Sequence, residues 1–243
     1  MFDTRVPVYG IMILLALATN IIVVMLIYKK YEFSKNEIIG ALVYENIGII
    51  LGAQIFTFFA NYQLYEEFDL LSLGLSAYGA VIGAIICLML FALQFKRSVK
   101  DMLFIFMPSI PLMYAIGKIG CFLAGCCVGI EYDGWGSIVY NYSAAALAGV
   151  RLFPVQLAET IVFIFIFIYI FAESVKNKLN LKTLGLSFIL CGFGKFILDY
   201  LRMSHSGELL SFSLNQTVSI IFIVIGIKLF IVKQPESHPV CRK

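Results

Sequence analysis

The sequence predicts an all-α, polytopic membrane protein of about seven transmembrane helices, forming a single domain over residues 1–243, with the N-terminus outside and the C-terminus cytoplasmic. Three observations carry this expectation. Apolar residues make up 61% of the chain and charged residues 14%, where soluble domains have about 45–50% and about 25%. With only 18 Lys/Arg and 15 Asp/Glu in 243 residues a soluble surface could not be covered, whereas a chain solvated by lipid needs no more. Seven apolar runs approach the roughly 20 residues that cross about 30 Å of hydrocarbon, and thirteen of the eighteen basic residues gather on one side of those runs. The net charge of +3, scattered in short clusters, excludes nucleic acid as a partner.

The first run, about 8–28, ends at Tyr28-Lys29-Lys30 without a small-residue cleavage site and is expected to stay in the mature protein. The second, about 38–59, carries Glu45 and the pair Gly48/Gly52, and the third, about 70–95, carries Tyr78 and the pair Gly79/Gly83; small residues four apart predict close helix crossings. The fourth, about 102–129, holds Lys118, and its glycines at 117, 120, 125 and 129 predict a broken helix lining a polar cavity. The fifth, about 153–172, opens with Gln156 and Glu159. The sixth, about 184–202, is the weakest because Lys195 and Asp199 interrupt it, and the seventh spans about 213–232.

Orientation follows from the basic residues, which accumulate on the cytoplasmic side. Lys29, Lys30 and Lys35, then Lys96, Arg97 and Lys100, then Lys176, Lys178 and Lys182, and finally Lys228, Lys233, Arg242 and Lys243 fall on one side; Arg5, Arg151 and Arg202 fall on the other. Lys118 and Lys195 lie inside runs. With this orientation Tyr9, Tyr78, Lys118, Gln156, Glu159, Lys195, Asp199 and Arg202 all belong to the outer half of the membrane, and Glu45 to the inner half.

An ionisable group at membrane depth costs at least about 2.5–3.5 kcal/mol, so each is a functional candidate until a partner explains it. Lys195, Asp199 and Arg202 follow helical spacing and would share one face as cation, anion, cation. On their own they read equally as a structural ion pair with a terminal Arg reaching the interface. Lys118 at similar depth tips the reading: two buried cations with too few acids invite an anion, and the anion at hand in an outer leaflet is a lipid phosphate.

Cys121, Cys126 and Cys127 have no nearby His and match no zinc spacing; His205 and His238 fall on opposite sides of the membrane, so no metal and no cofactor are expected. Helix packing, a disulfide on the oxidising side and a reactive thiol beside Lys118 all remain open for these cysteines.

The run Gly117-Lys118-Ile119-Gly120-Cys121-Phe122-Leu123-Ala124-Gly125-Cys126-Cys127-Val128-Gly129 resembles the signature G-R-x-G-N-F-x-N-G-E-x-x-G of the bacterial prolipoprotein diacylglyceryl transferases. Further matches follow in order: Tyr9-Gly10; Ser76-Ala77-Tyr78-Gly79 for S-x-H-G-G; Arg151 to Glu159 for R-x-H-P-x-Q-L-Y-E; Gly194 to Arg202 for F-R-F-x-x-E-F-x-R; and Leu214-Asn215-Gln216 for M-G-Q. The resemblance implies transfer of the diacylglyceryl group of phosphatidylglycerol to the lipobox cysteine of a prolipoprotein, at the outer leaflet of a bacterial plasma membrane, with release of glycerol phosphate. Carried over by position, it implies that Tyr9 orients the lipid, Lys118 and Lys195 hold its phosphate, Asp199 and Arg202 position Lys195 and the lipid, and Gln156 and Glu159 close the polar wall. Gly79, Gly117, Gly120 and Gly129 would line the same lipid site, with Tyr78 and Cys121 at the reacting end. The chain departs from the pattern where Tyr78 and Phe153 stand for histidines, Lys118 and Lys195 for arginines, and Cys121 and Cys126 for an Asn and a Glu. A phospholipid-binding accessory protein and an enzyme using Cys121 as its own acceptor are the competing functions.

The orientation is tested by labelling. A Lys178→Cys variant should resist a membrane-impermeant thiol reagent added outside and react once the membrane is opened; strong labelling from outside would reverse the topology.

Overall fold

The computed structural model describes residues 5–60, 75–140, 149–177, 179–203 and 213–232. Among them lie eight α-helices: α1 (Arg5–Ile27), α2 (Lys35–Ala60), α3 (Ala77–Gln94), α4 (Val99–Phe106), α5 (Ile110–Ala124), α6 (Val155–Lys176), α7 (Leu181–Asp199) and α8 (Leu214–Ile231). A 3-10 turn, Met107–Ser109, joins α4 to α5 into one rod, so seven helical rods are long and apolar enough to cross a membrane. The expected start of the third run at 70–74 lies outside the described residues, as do Lys178, His205, His238, Cys241 and the basic residues of the tail beyond Val232.

Local chemistry sets the helix starts. The Ser76 and Ser98 hydroxyls accept the amides of Gly79 and Asp101, Asn180 accepts that of Thr183, and Ser213 with Gln216 closes a reciprocal capping box on α8. Leu14, Phe59, Phe165 and Ile231 are about two-thirds exposed, a disposition that suits lipid and not water.

Helix α2 packs along α3, α7 along α8, and α5 against both α1 and α6. The small-residue reading of Gly48/Gly52 and Gly79/Gly83 holds: a Cβ on Gly52 would run into the Gly79 carbonyl oxygen and lie 2.8 Å from Gly83 Cα. Gly79 is thus spent on the α2 contact. The same device recurs unannounced between α7 and α8, where a Cβ on Gly185 would meet the Gly226 carbonyl oxygen at 2.5 Å.

The fourth run breaks elsewhere than its glycines predict. Pro108 and Pro111 lack the amide donor a continuous helix needs, and the 3-10 turn falls there. Helix α5 then runs unbroken through Gly117 and Gly120. Gly120 serves close packing instead, since a Cβ there would lie 2.9 Å from Met12 Cβ and 3.3 Å from Tyr9 Cδ2 on α1. The helix stops at Gly125, whose φ of 69° is the left-handed cap that favours glycine.

The sixth run also ends early. Helix α7 stops at Asp199, and of the expected cation, anion, cation face only the Asp199–Arg202 pair forms, across the turn that follows the helix. The chain goes on in 3-10-type turns, the Leu201 and Arg202 amides donating to Leu198 O at 3.2 Å and Asp199 O at 3.1 Å, and only then does Arg202 bridge Gly129; the Ile130 amide donates to Leu201 O at 3.0 Å, and the Phe153 amide donates to Ile130 O at 2.9 Å. Residues 128–131 therefore pass between two neighbouring segments. A Cβ on Gly129 would collide with Phe153 O, which accounts for the glycine. Strands β1 (Ile138–Val139) and β2 (Arg151–Leu152) complete this small cap over one end of the bundle.

The two ends differ in character. The main apolar cluster joins the end of α1, the start of α2, the end of α3, α4 and the start of α7, the end that carries the basic loops. At the opposite end the buried residues include Lys118, Gln156, Glu159, Lys195, Asp199, Gln216 and Ser219.

Gly52→Leu should cost roughly 1–3 kcal/mol or more through overpacking against α3. Gly117→Ala, which meets nothing within 4 Å, should be neutral or stabilising by about 0.5–1 kcal/mol. Thermal unfolding of both in detergent checks this contrast; equal melting would refute the close crossing.

Candidate functional site

Burying a charge in lipid is tolerated when an opposite charge meets it. Glu159, one turn into α6, supplies that charge to two helices at once. Its Oε1 accepts from Lys195 Nζ on α7 at 2.6 Å, and its Oε2 lies 2.7 Å from Lys118 Nζ on α5. The carboxylate is fully buried, and Lys118 and Lys195 are 6% and 5% exposed. A third donor, the Tyr114 hydroxyl, reaches Oε1 at 2.6 Å.

Sequence reasoning missed Tyr114, although it precedes Lys118 by four residues on one helix and so shares its face. Both lysine ammonium groups lie over its ring, at 5.3 and 5.5 Å from the centroid, and Phe163 packs against that ring at 4.1 Å.

Asp199 is not the anion of Lys195. It turns to α8, where its Oδ2 accepts from Ser213 Oγ at 2.5 Å and its Oδ1 from Asn215 Nδ2 at 3.4 Å, and Arg202 Nη1 lies 3.6 Å from Oδ1. Helical spacing allowed a Lys195–Asp199 contact, but the shorter route for each group is across to a neighbouring helix. Charge is nevertheless uneven. Lys118, Lys195 and Arg202 face Glu159 and Asp199, which leaves one positive charge in excess in this group.

Tyr78, at the start of α3, shares a hydrogen bond with Ser219 Oγ of α8 and sits within electrostatic reach of Asp199 and Glu159. Tyr9, on α1, faces the other side of the site, with its hydroxyl in hydrogen-bonding reach of the Cys121 sulfur. Gln156 Nε2 donates to Cys126 O at 2.8 Å and to Tyr140 Oη at 3.3 Å, tying α6 to the turn after α5. Burial pushes the Tyr140 phenol up to about 12, so it stays a donor to Phe122 O. The buried side-chain atoms without a hydrogen-bond partner include Gln156 Oε1, Arg202 Nε and Gln216 Nε2 at this end, and Asn20 Oδ1 on α1 away from it.

The cysteines also converge. The Sγ atoms of Cys121, Cys126 and Cys127 lie within 4.8 Å of one another, and all five described cysteines are free thiols. Lys118, Lys195, Glu159 and Arg202 thus meet, with Tyr9 and Tyr78 on the flanks. A methyl group added at Gly117 would meet nothing within 4 Å, whereas Gly79 and Gly129 face backbone carbonyls and Gly120 faces the side chains of Met12 and Tyr9.

The family model for prolipoprotein diacylglyceryl transferase matches residues 1–232. The chain belongs to that family. It is 27% identical over 234 residues to phosphatidylglycerol–prolipoprotein diacylglyceryl transferase 2 of Clostridium perfringens, covering 94% of this chain and 91% of the relative. It is 28% identical over 234 residues to the phosphatidylglycerol–prolipoprotein diacylglyceryl transferase of Clostridium tetani, covering 95% and 94%. The like-named protein of Dehalococcoides mccartyi is 32% identical over 170 residues, 68% of this chain and 63% of its own. Within this family member, the order of helices brings the motifs that carried the resemblance to one end of the bundle, where Gly79 faces α2.

Glu159→Gln strips two buried cations of their shared anion and should destabilise the protein by roughly 3–5 kcal/mol. Adding Lys195→Met to that variant should recover part of the loss, as read by thermal unfolding in detergent. A Glu159→Gln protein that melts like the parent would contradict the shared ion pair.

Proposed function

We propose that this chain is a phosphatidylglycerol–prolipoprotein diacylglyceryl transferase acting at the outer leaflet of a bacterial plasma membrane. The carrying observation is the buried group in which one carboxylate, Glu159, serves two lysines from different helices and leaves a positive excess. A phosphodiester of charge −1 balances that excess, and Arg202, with a buried Nε lacking a partner, offers a further donor to it. Family membership supplies the reaction class.

In the transfer, an acceptor sulfur attacks the glyceryl carbon that bears the phosphate ester. A C–S bond forms, the C–O bond breaks, and its electron pair leaves with glycerol phosphate; the proton of the acceptor thiol passes to the leaving phosphate or to solvent. Lys118 and Lys195 do their work on the leaving group, where negative charge grows in the transition state and positioned cations are worth most. Glu159 holds the two ammonium groups at a fixed separation before lipid arrives, so little reorganisation remains for the reaction. Lysines offer point charges and not the fork of arginine, so phosphate is held by charge more than by shape. Tyr9 and Tyr78, on opposite flanks, orient the headgroup.

Lys195→Met removes the excess charge while Glu159 keeps Lys118 as its partner, so membrane insertion and folding should survive. Release of glycerol phosphate from phosphatidylglycerol should fall by at least about 100-fold. Lys118→Met should behave alike, and Asp199→Asn should impair the reaction without abolishing it. Wild-type protein that binds phosphatidylglycerol and releases no glycerol phosphate would replace this reading with that of a lipid-binding accessory protein.

A further inference from the structure

A thiol acceptor has to lose its proton before it attacks, and the groups near the lysines are poorly placed to take it. Glu159 is occupied by three donors, and Tyr78 is committed to Ser219. The remaining reactive cluster at this end is the trio of cysteines.

Its geometry comes from the turn after α5. Gly125 and Cys127 both take left-handed backbone conformations, with φ of 69° and 52°, and the Cys126 amide donates to Cys121 O at 3.0 Å. The chain thereby folds back on the last turn of the helix and brings thiols five and six residues on over Cys121. A non-glycine residue at positive φ is held there at a cost of order 1–3 kcal/mol. This fold-back is why the spacing alone does not read as a metal site: the usual Cys-x2-Cys hairpin is replaced by a helix C-cap.

We propose that Cys121, Cys126 and Cys127 bind one zinc ion through three thiolates, and that the open fourth position takes the acceptor thiol of the transfer reaction. Sulfurs bound to zinc at about 2.3 Å sit roughly 3.8 Å apart, within the 4.8 Å span observed before any ion draws them in. Among the described residues no His, Asp or Glu joins the group as a fourth ligand, the arrangement of a zinc site with room for substrate. Thiolates are the soft ligands zinc favours, and the cationic Lys118 and Arg202 lie within electrostatic reach of the Cys127 sulfur. Zinc binding releases three protons to solvent, and entry of the acceptor thiol releases a fourth, because a thiol coordinated to zinc is deprotonated outright. The bound sulfur then attacks the glyceryl carbon as described, leaves the metal as a thioether, and frees the fourth position. The second half of this inference rests on the transferase reading; the metal site itself does not.

The test uses the full-length, tag-free protein in detergent, reduced beforehand, equilibrated with Zn2+ or with Co2+ as a spectroscopic substitute, and cleared of loose metal. The wild type should retain about one zinc per chain and show a sulfur-to-cobalt charge-transfer band that grows when a peptide carrying one cysteine is added. A triple Cys121→Ser, Cys126→Ser, Cys127→Ser variant should bind at least tenfold less zinc, and a Cys87→Ser, Cys191→Ser variant should bind as the wild type. Monodispersity of each variant on size exclusion reports its folding. Wild-type zinc no higher than that of the triple variant would overturn the site, and a band unchanged by peptide would overturn the acceptor role. Glycerol phosphate release on the same samples separates the two readings. Zinc bound without any release defeats the transferase reading and leaves the metal site; release undiminished in the triple variant defeats the acceptor role and leaves the transferase.

Discussion

The carboxylate of Glu159 is the constraint around which the functional end of this protein is arranged. Two ammonium groups this deeply buried would repel each other and would each carry a large desolvation cost. One anion between them removes both problems, provided that α5, α6 and α7 stand at fixed distances. The Tyr114 ring beneath both lysines and Phe163 beneath the ring keep that spacing from the apolar side. The ion group is therefore a tertiary tie and a binding feature together: the same carboxylate that makes the lysines tolerable leaves their surplus charge for a ligand.

The division of the bundle follows from this. One end is tied mainly by an apolar cluster that reaches from Val24 and Ile38 to Phe106 and Leu184, with the Leu179 amide donating to the Tyr31 hydroxyl at 3.1 Å inside it. The other is tied by side-chain bonds from α7 to α6 and to the N-cap of α8, by Gln156 on the Cys126 carbonyl, and by the short extended segments around Gly129. The polar ties also leave unpaired atoms, at Gln156, Arg202 and Gln216, which the proposed headgroup would complete.

Much of this was legible in the sequence. Run length and apolarity gave seven spans, since lipid imposes both, and glycines four apart announced the α2–α3 crossing. Depth alone placed Lys118, Lys195, Gln156 and Glu159 at one level. Partners were harder to read. Helical spacing paired Lys195 with Asp199, whereas packing gave Lys195 to Glu159 and Asp199 to Ser213, because a choice among neighbouring helices leaves no periodic trace. Glycine density misplaced the break in the fourth run, where two prolines decided it. The convergence of the cysteines depended on a left-handed turn at Gly125 and Cys127, a backbone event that ligand-spacing rules built on hairpins do not contain.

Central to the account is that the ammonium groups held by Glu159 receive a lipid phosphate. The most direct measurement is a solid-state NMR distance between the phosphorus of phosphatidylglycerol and the 15N-labelled lysine ammonium groups, on protein in lipid bilayers. The account predicts dephasing from close phosphorus contacts, lost when Lys118 and Lys195 are both replaced by Met. Dephasing that is absent in the wild type, or that persists unchanged in the double variant, would contradict it.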